Sequence, residues 1–217
     1  MTEPIKGIAW KTTSRCDILE SILQVGVGKK RINTTLVKAC QRSEEPPARD
    51  LIYLLLNHGA SVDTEQGICL QIAAERGDYK FAKVFLESSP TEDTVSLAFP
   101  KIFLAKTDEN SLIRMTNLFL EHGLLPDVEN MGPMQESPLV LALTIHKNAP
   151  ILAKTLVNAG CAVNSVFLST LHDFVGPEYI TPLLWVLCHS ETTPSYRDLI
   201  VALIQAEGIT LNPRLCV

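Results

Sequence analysis

Apolar positions in this chain return three and four residues apart, in runs that each close on a glycine or its stand-in. Leu51, Leu54, Leu55 and Leu56 lead to Gly59; Ile113, Leu118, Phe119 and Leu120 lead to Gly123. Phe81, Val84, Phe85 and Leu86 lead in the same way to Ser89. Such spacing predicts amphipathic helices, each ended by a left-handed residue just past its last apolar position. An earlier instance, "CDILESILQVG", has Asp17 as its N-cap and Gly26 as its stop. The stops fall at positions 26, 59, 89, 123, 160 and 208. Four of them sit inside related strings: "LLLNHGASVD" (54–63), "LFLEHGLLPD" (118–127), "TLVNAGCAVN" (155–164) and "LIQAEGITLN" (203–212). Recurrence at a period of roughly 33 residues is the signature of a repeat architecture.

A shorter helix precedes the long one in each unit. "SPLVLALTIH" opens on Ser137-Pro138 and "TPLLWVLCH" on Thr181-Pro182. A hydroxyl at the N-cap accepts a backbone N–H, and proline at the next position gives up a donor that has no partner anyway. "TTLVKAC" (34–40) and "ICLQIAAERGD" (68–78) read as the same element, with small residues Ala39, Ala73 and Ala142 permitting close neighbours. Unit by unit, the order is short helix, turn, longer helix, glycine stop, excursion. A motif of Thr/Ser-Pro-Leu, Ala-Ala-x-x-Gly-Asp, Leu-Leu-x-x-Gly-Ala and a later Asp or Asn resembles the ankyrin repeat. Its best single stretch is "LQIAAERGDYKFAKVFL" (70–86), and the resemblance covers roughly residues 15–213. In style the array is similar to ankyrin arrays of large fungal signalling proteins. Departures are visible: Val37, Gln71, Val140 and Leu184 replace the family's histidine, and insertions stand at "SEEPP" (43–47), "KTDENS" (106–111) and "SETTPSY" (190–196).

The resemblance implies an all-α fold: an ankyrin-type α-solenoid of stacked helix pairs in one domain over residues 1–217. It divides into a half repeat at 10–27 and repeats at about 32–66, 67–93, 94–135, 136–164 and 180–213. One such unit cannot bury its own apolar face, and stacking does so. Between Asn164 and Thr181 runs a long apolar excursion (165–180) holding Phe167, Leu171, Phe174 and Tyr179. It is expected either to fold down as an extra helix or to offer an apolar patch to a partner.

Composition narrows the range of jobs. The chain is 46% apolar and 20% charged, as a globular protein is, and a net charge of −5 argues against a dedicated nucleic-acid binder. Nine Lys/Arg against six acids in residues 1–50 give way to six against thirteen in 51–136, a polarised distribution. "GKKR" (28–31) reads as a basic excursion ahead of the first full repeat. No stretch approaches a membrane-spanning run, and "MTEPIKGIAWK" lacks the apolar core of a secretion signal. Six scattered cysteines without C-x-x-C spacing read as reduced thiols, hence an intracellular location, cytoplasmic or nuclear.

No catalytic fingerprint, phosphate loop or metal-ligand spacing is present, so neither enzyme activity, metal nor cofactor is expected. His58 and His122 precede stop glycines, where a cation suits the helix dipole. Cys188-His189 and His172-Asp173 are sequence neighbours, splayed too far apart on a helix to share one ligand. The resemblance implies instead a concave groove, lined by the short helices, that engages a protein partner. Its positions are Lys38, Gln41 and Arg42; Ile72, Glu75 and Arg76; Leu141, Thr144 and Ile145; and Trp185, Cys188 and His189. Phe167, Leu171, Phe174 and Tyr179 form a second candidate contact on the excursion. Trp185 and His189, four apart, share one helical face. Two rival readings stand beside this one. One is an enzyme or small-molecule binder with a groove pocket near Trp185 and His189; the other is a self-associating sensor segment of a larger receptor.

Overall fold

The computed structural model describes residues 26–42, 46–124, 137–146, 149–169, 178–189 and 194–206. The half repeat at 10–27 with Asp17, the last stop Gly208, and Leu171 and Phe174 of the excursion lie outside these, apart from the stop at Gly26. The described residues are mostly helical, and the fold class is all-α. The chain divides into two compact units, Met1–Cys69 and Leu70–Val217.

In the first unit, α1 (Lys29–Gln41) packs against α2 (Pro46–Asn57). Ile32, Leu36, Val37, Ala39 and Cys40 form the buried face of α1. The basic stretch predicted as an excursion is the exposed first turn of this helix. Helix α2 ends at Gly59, whose φ is +80°. There the Gly59 N–H donates to Leu56 O and the Ala60 N–H to Leu55 O, closing a Schellman motif with Ala60 buried beside it. Asn33 on α1 then accepts from the Ser61 N–H at 3.0 Å, which ties the returning chain to α1. The boundary between the units falls within α3 (Thr64–Glu75). Its first turn is left-handed at Glu65, Gln66 and Gly67, so the regular helix begins at residue 68, where the sequence places it.

The second unit continues with α4 (Tyr79–Glu87), α5 (Glu92–Ala98), a 3₁₀ helix (Phe99–Leu104), α6 (Glu109–Glu121), α7 (Pro138–Ile145), α8 (Pro150–Asn158), α9 (Pro182–His189) and α10 (Pro194–Gln205). Side-chain caps start five of them, α4, α5, α6, α7 and α9, and satisfy orphan N–H groups there. Asp78 accepts from Phe81, Thr91 from Thr94, Asp108 from Ser111, Ser137 from Val140 and Thr181 from Leu184. Helix α8 has no such cap at Ala149, and Pro150 carries no N–H. Glu109 on α6 fills the place: its Oε1 accepts from Ile151 N–H at 2.8 Å and Leu152 N–H at 3.1 Å.

Two successions of contacts result. The longer helices pack in order, α4 on α6, α6 on α8 and α8 on α10; the 3₁₀ helix packs on α7 and α7 on α9. Within pairs, the 3₁₀ helix meets α6, α7 meets α8, and α9 meets α10. Phe99, Phe103 and Phe119 fill the first of these pairs, with ring centroids 5.6 and 5.8 Å apart. Each is essentially fully buried, which stabilises by about 1.5–3 kcal/mol per side chain. The element predicted as one short helix in the third repeat is split in two, because Pro100 has no N–H to continue the α pattern.

Residues 170–177 of the excursion lie outside the described residues. Its described ends are not helical but form an antiparallel pair, β1 (Phe167–Ser169) and β2 (Glu178–Ile180), with Phe167 opposite Ile180 and Leu168 opposite Tyr179. Strand alternation sends Phe167 and Ile180 inward and leaves Leu168 and Tyr179 in solvent.

Candidate functional site

The helix stops shape the turns beside the predicted groove positions. Gly26, Gly59, Gly123 and Gly160 all have φ between +80° and +98°, and Ser89 adopts +56° in the same role. Gly123 and Gly160 repeat the Schellman bonds of Gly59, with Leu124 and Cys161 buried after them as Ala60 is. At the end of α3 the same closure recurs: Gly77 N–H donates to Ala74 O and Asp78 N–H to Ala73 O. Gly77 has φ +67°, and a Cβ built there stands 3.6 Å from both Ala105 Cβ and Thr107 Cγ2. At that ordinary van der Waals spacing, the turn after α3 lies beside the segment leaving the 3₁₀ helix.

Between them lies a cavity of about 470 Å³ lined by Ile72, Glu75, Arg76, Leu104 and Lys106. Ile72 and Leu104 are half-buried, whereas Glu75, Arg76 and Lys106 are exposed. Three of the predicted groove positions thus share one cavity. Leu104 and Lys106 escaped sequence reasoning: Leu104 closes the 3₁₀ helix and Lys106 opens the stretch read as an insertion at 106–111.

Other predicted positions are distributed differently. Lys38, Gln41 and Arg42 are exposed at the end of α1. Ile145 is exposed, and Thr144 is half-buried with its Oγ1 donating to Val140 O. Three assignments are corrected. Leu141 and Trp185 are each 2% exposed and Phe167 6%, so none of them offers a surface to a partner. Leu141 is covered because α7 is apolar all round and flanked by the 3₁₀ helix, α8 and α9. Phe167 turns inward with the pleat, which leaves Tyr179, 77% exposed, as the described aromatic group of the excursion that faces solvent.

Trp185 and His189 do share a face, with rings stacked at 4.0 Å between centroids and 15° between planes. His189 Nδ1 stands 2.9 Å from Trp185 O. A carbonyl only accepts, so the proton is on Nδ1, and this bond caps the end of α9. His122 bonds Leu118 O in the same i−4 fashion, and His146 Nε2 reaches Phe103 O at 2.8 Å. These histidines are engaged by backbone carbonyls at helix ends. A second cavity, of about 320 Å³, lies between α8 and α10, where Lys154 pairs with Asp198 at 3.1 Å. Neither cavity includes His189.

Two groups have shifted titration. Asp108 is held below its ordinary carboxylate value, first by the Ser111 hydroxyl and then by the Ser111 N–H. Burial, and then the charge of Glu109, raises Tyr196. The first shift arises at a helix start and the second in packing. Among the described residues no cluster of three His, Cys, Asp or Glu side chains is placed to hold a metal ion, and no helix is long and apolar enough to cross a membrane. No family model matches the chain, and no curated protein or solved structure is significantly similar to it.

Proposed function

We propose that the chain is a non-enzymatic protein–protein interaction module, an ankyrin-type α-solenoid whose groove binds a partner polypeptide inside the cell. The carrying observation is the cavity shared by the ends of two successive inner elements: Ile72, Glu75 and Arg76 on one side, Leu104 and Lys106 on the other. Recurring left-handed stops, repeated Schellman closures and the ordered packing of long helices on long and inner on inner support the repeat reading. Such a stack is held by side-chain packing that exists before any partner arrives, so little ordering entropy opposes binding.

Site-specific photo-crosslinking tests this. A photoreactive residue at Glu75 is expected to trap a discrete polypeptide from an extract of the source cells, and the same residue at Lys83 on the exposed face of α4 is expected not to. Equal trapping at both positions, or trapping at Lys83 alone, overturns the groove assignment.

A further inference from the structure

We infer that Ser89 is a phosphorylation site, accepting the γ-phosphoryl group of a nucleoside triphosphate from a proline-directed serine/threonine kinase. It stands independently of the partner-binding groove. The chain holds four Ser/Thr-Pro dipeptides, at Ser89-Pro90, Ser137-Pro138, Thr181-Pro182 and Thr193-Pro194. Thr193 lies outside the described residues, and the fold separates the other three. Ser137 and Thr181 commit their hydroxyls as helix caps, accepting from the Val140 and Leu184 N–H groups, and Pro138 and Pro182 are buried. Ser89 is exposed and Pro90 is only half-buried, so an enzyme can reach both members of the pair. Its neighbour Ser88 is exposed too, but Ser88 Oγ donates to Val84 O at 2.8 Å. Ser89 Oγ has no hydrogen-bond partner among the described residues.

The backbone supplies a second argument. Ser89 lies in the connection between α4, which ends at Glu87, and α5, which starts at Glu92. It holds φ +56°, which its Cβ disfavours, and it precedes a proline, whose ring disfavours helical geometry at that residue. Both penalties vanish in the extended conformation, the form in which a kinase cleft takes its substrate. Reaching it gives up the Ser89 N–H bond to Leu86 O at 3.2 Å.

In the transfer, Ser89 Oγ attacks the γ-phosphorus, and the Oγ–P bond forms as the bond to the β–γ bridging oxygen breaks. A nucleoside diphosphate leaves, and the hydroxyl proton passes to the kinase's catalytic carboxylate. The product carries about −1.5 to −2 charge near pH 7 at the C-terminal end of α4, where the helix dipole is already negative. Exposed Glu87, Glu92 and Asp93 are close along the chain, and Lys83, one turn back, already pairs with Glu87 at 3.8 Å. Phosphorylation therefore loosens the last turn of α4 and the first turn of α5.

Incubating the intact chain with a purified proline-directed kinase and ATP, followed by mass spectrometry, tests the inference. Phosphate is expected on Ser89 and not on Ser137 or Thr181. Pro90→Ala is expected to slow the transfer about tenfold. Ser89→Gly, which suits the left-handed turn, is expected to abolish it at this position, and circular dichroism checks that both variants are folded. Hydrogen exchange in the phosphorylated chain is expected to accelerate several-fold around Glu87 and Glu92 while α8 keeps its protection. Phosphate on Ser137 or Thr181 as readily as on Ser89, or on none of the three, overturns the site. So does transfer to Ser89 only after urea has unfolded the chain. Unchanged exchange around Glu87 and Glu92 overturns the loosening and leaves the site in place.

Discussion

Ser89 shows what one backbone angle demands. It holds φ +56°, where a Cβ crowds the following carbonyl, while the corresponding Gly59, Gly123 and Gly160 occupy similar angles without strain. The pattern of apolar residues had already marked position 89 as a stop despite its side chain. Ser89→Gly is therefore expected to stabilise the chain by about 0.5–1 kcal/mol. The reverse change, Gly160→Ala, meets no atom within 4 Å, so its cost is purely conformational, about 1 kcal/mol. Thermal unfolding of both variants checks the pair; a lowered midpoint for Ser89→Gly would contradict the left-handed assignment. Trp185 illustrates the opposite limit. Its spacing from His189 fixed that the two rings share a face, but spacing along one helix does not say whether that face meets solvent.

At the scale of the element, helix starts were legible where Ser or Thr precedes proline, at Ser137 and Thr181. They are masked where an insertion carries the cap. "KTDENS" reads as an insertion, yet Asp108 within it caps α6 and Glu109 reaches across to cap α8. The Asp108 carboxylate is depressed by its bonds to Ser111, so its contribution is complete above the unfolded carboxylate value and lost as pH falls through the folded one. Asp108→Asn keeps a capping oxygen but removes the titration. The wild type is expected to be the more stable above about pH 4, with the difference closing below it. Urea unfolding of both proteins between pH 7 and pH 2.5 measures this, and a difference that persists undiminished at the acid end refutes it.

For the second unit as a whole, stability is expected to pass from neighbour to neighbour. Helix α8 stands between α6 and α10 in the packing order and also meets α7. Leu152 on α8 is fully buried, and Leu152→Ala is expected to cost about 2–5 kcal/mol. In a nearest-neighbour stack the loss concentrates beyond the lesion. Hydrogen exchange should accelerate in α9 and α10 while α4 keeps its protection. Uniform acceleration across the unit would indicate one undivided core instead.

The sequence by itself determined the helices, their stops and most of their order, because apolar periodicity and left-handed glycine are local physics. It also marked Ile72, Glu75 and Arg76 together, since they sit within one turn and a half of each other on a single helix. Only the tertiary structure decided which side of each inner helix is covered. Leu141 and Trp185 carry no mark in the chain that distinguishes a groove position from a buried one, because their burial depends on neighbours that pack from elsewhere in the sequence. Leu104 and Lys106 line the cavity with Ile72, Glu75 and Arg76 for the same reason: the fold, not the spacing, brought them opposite α3.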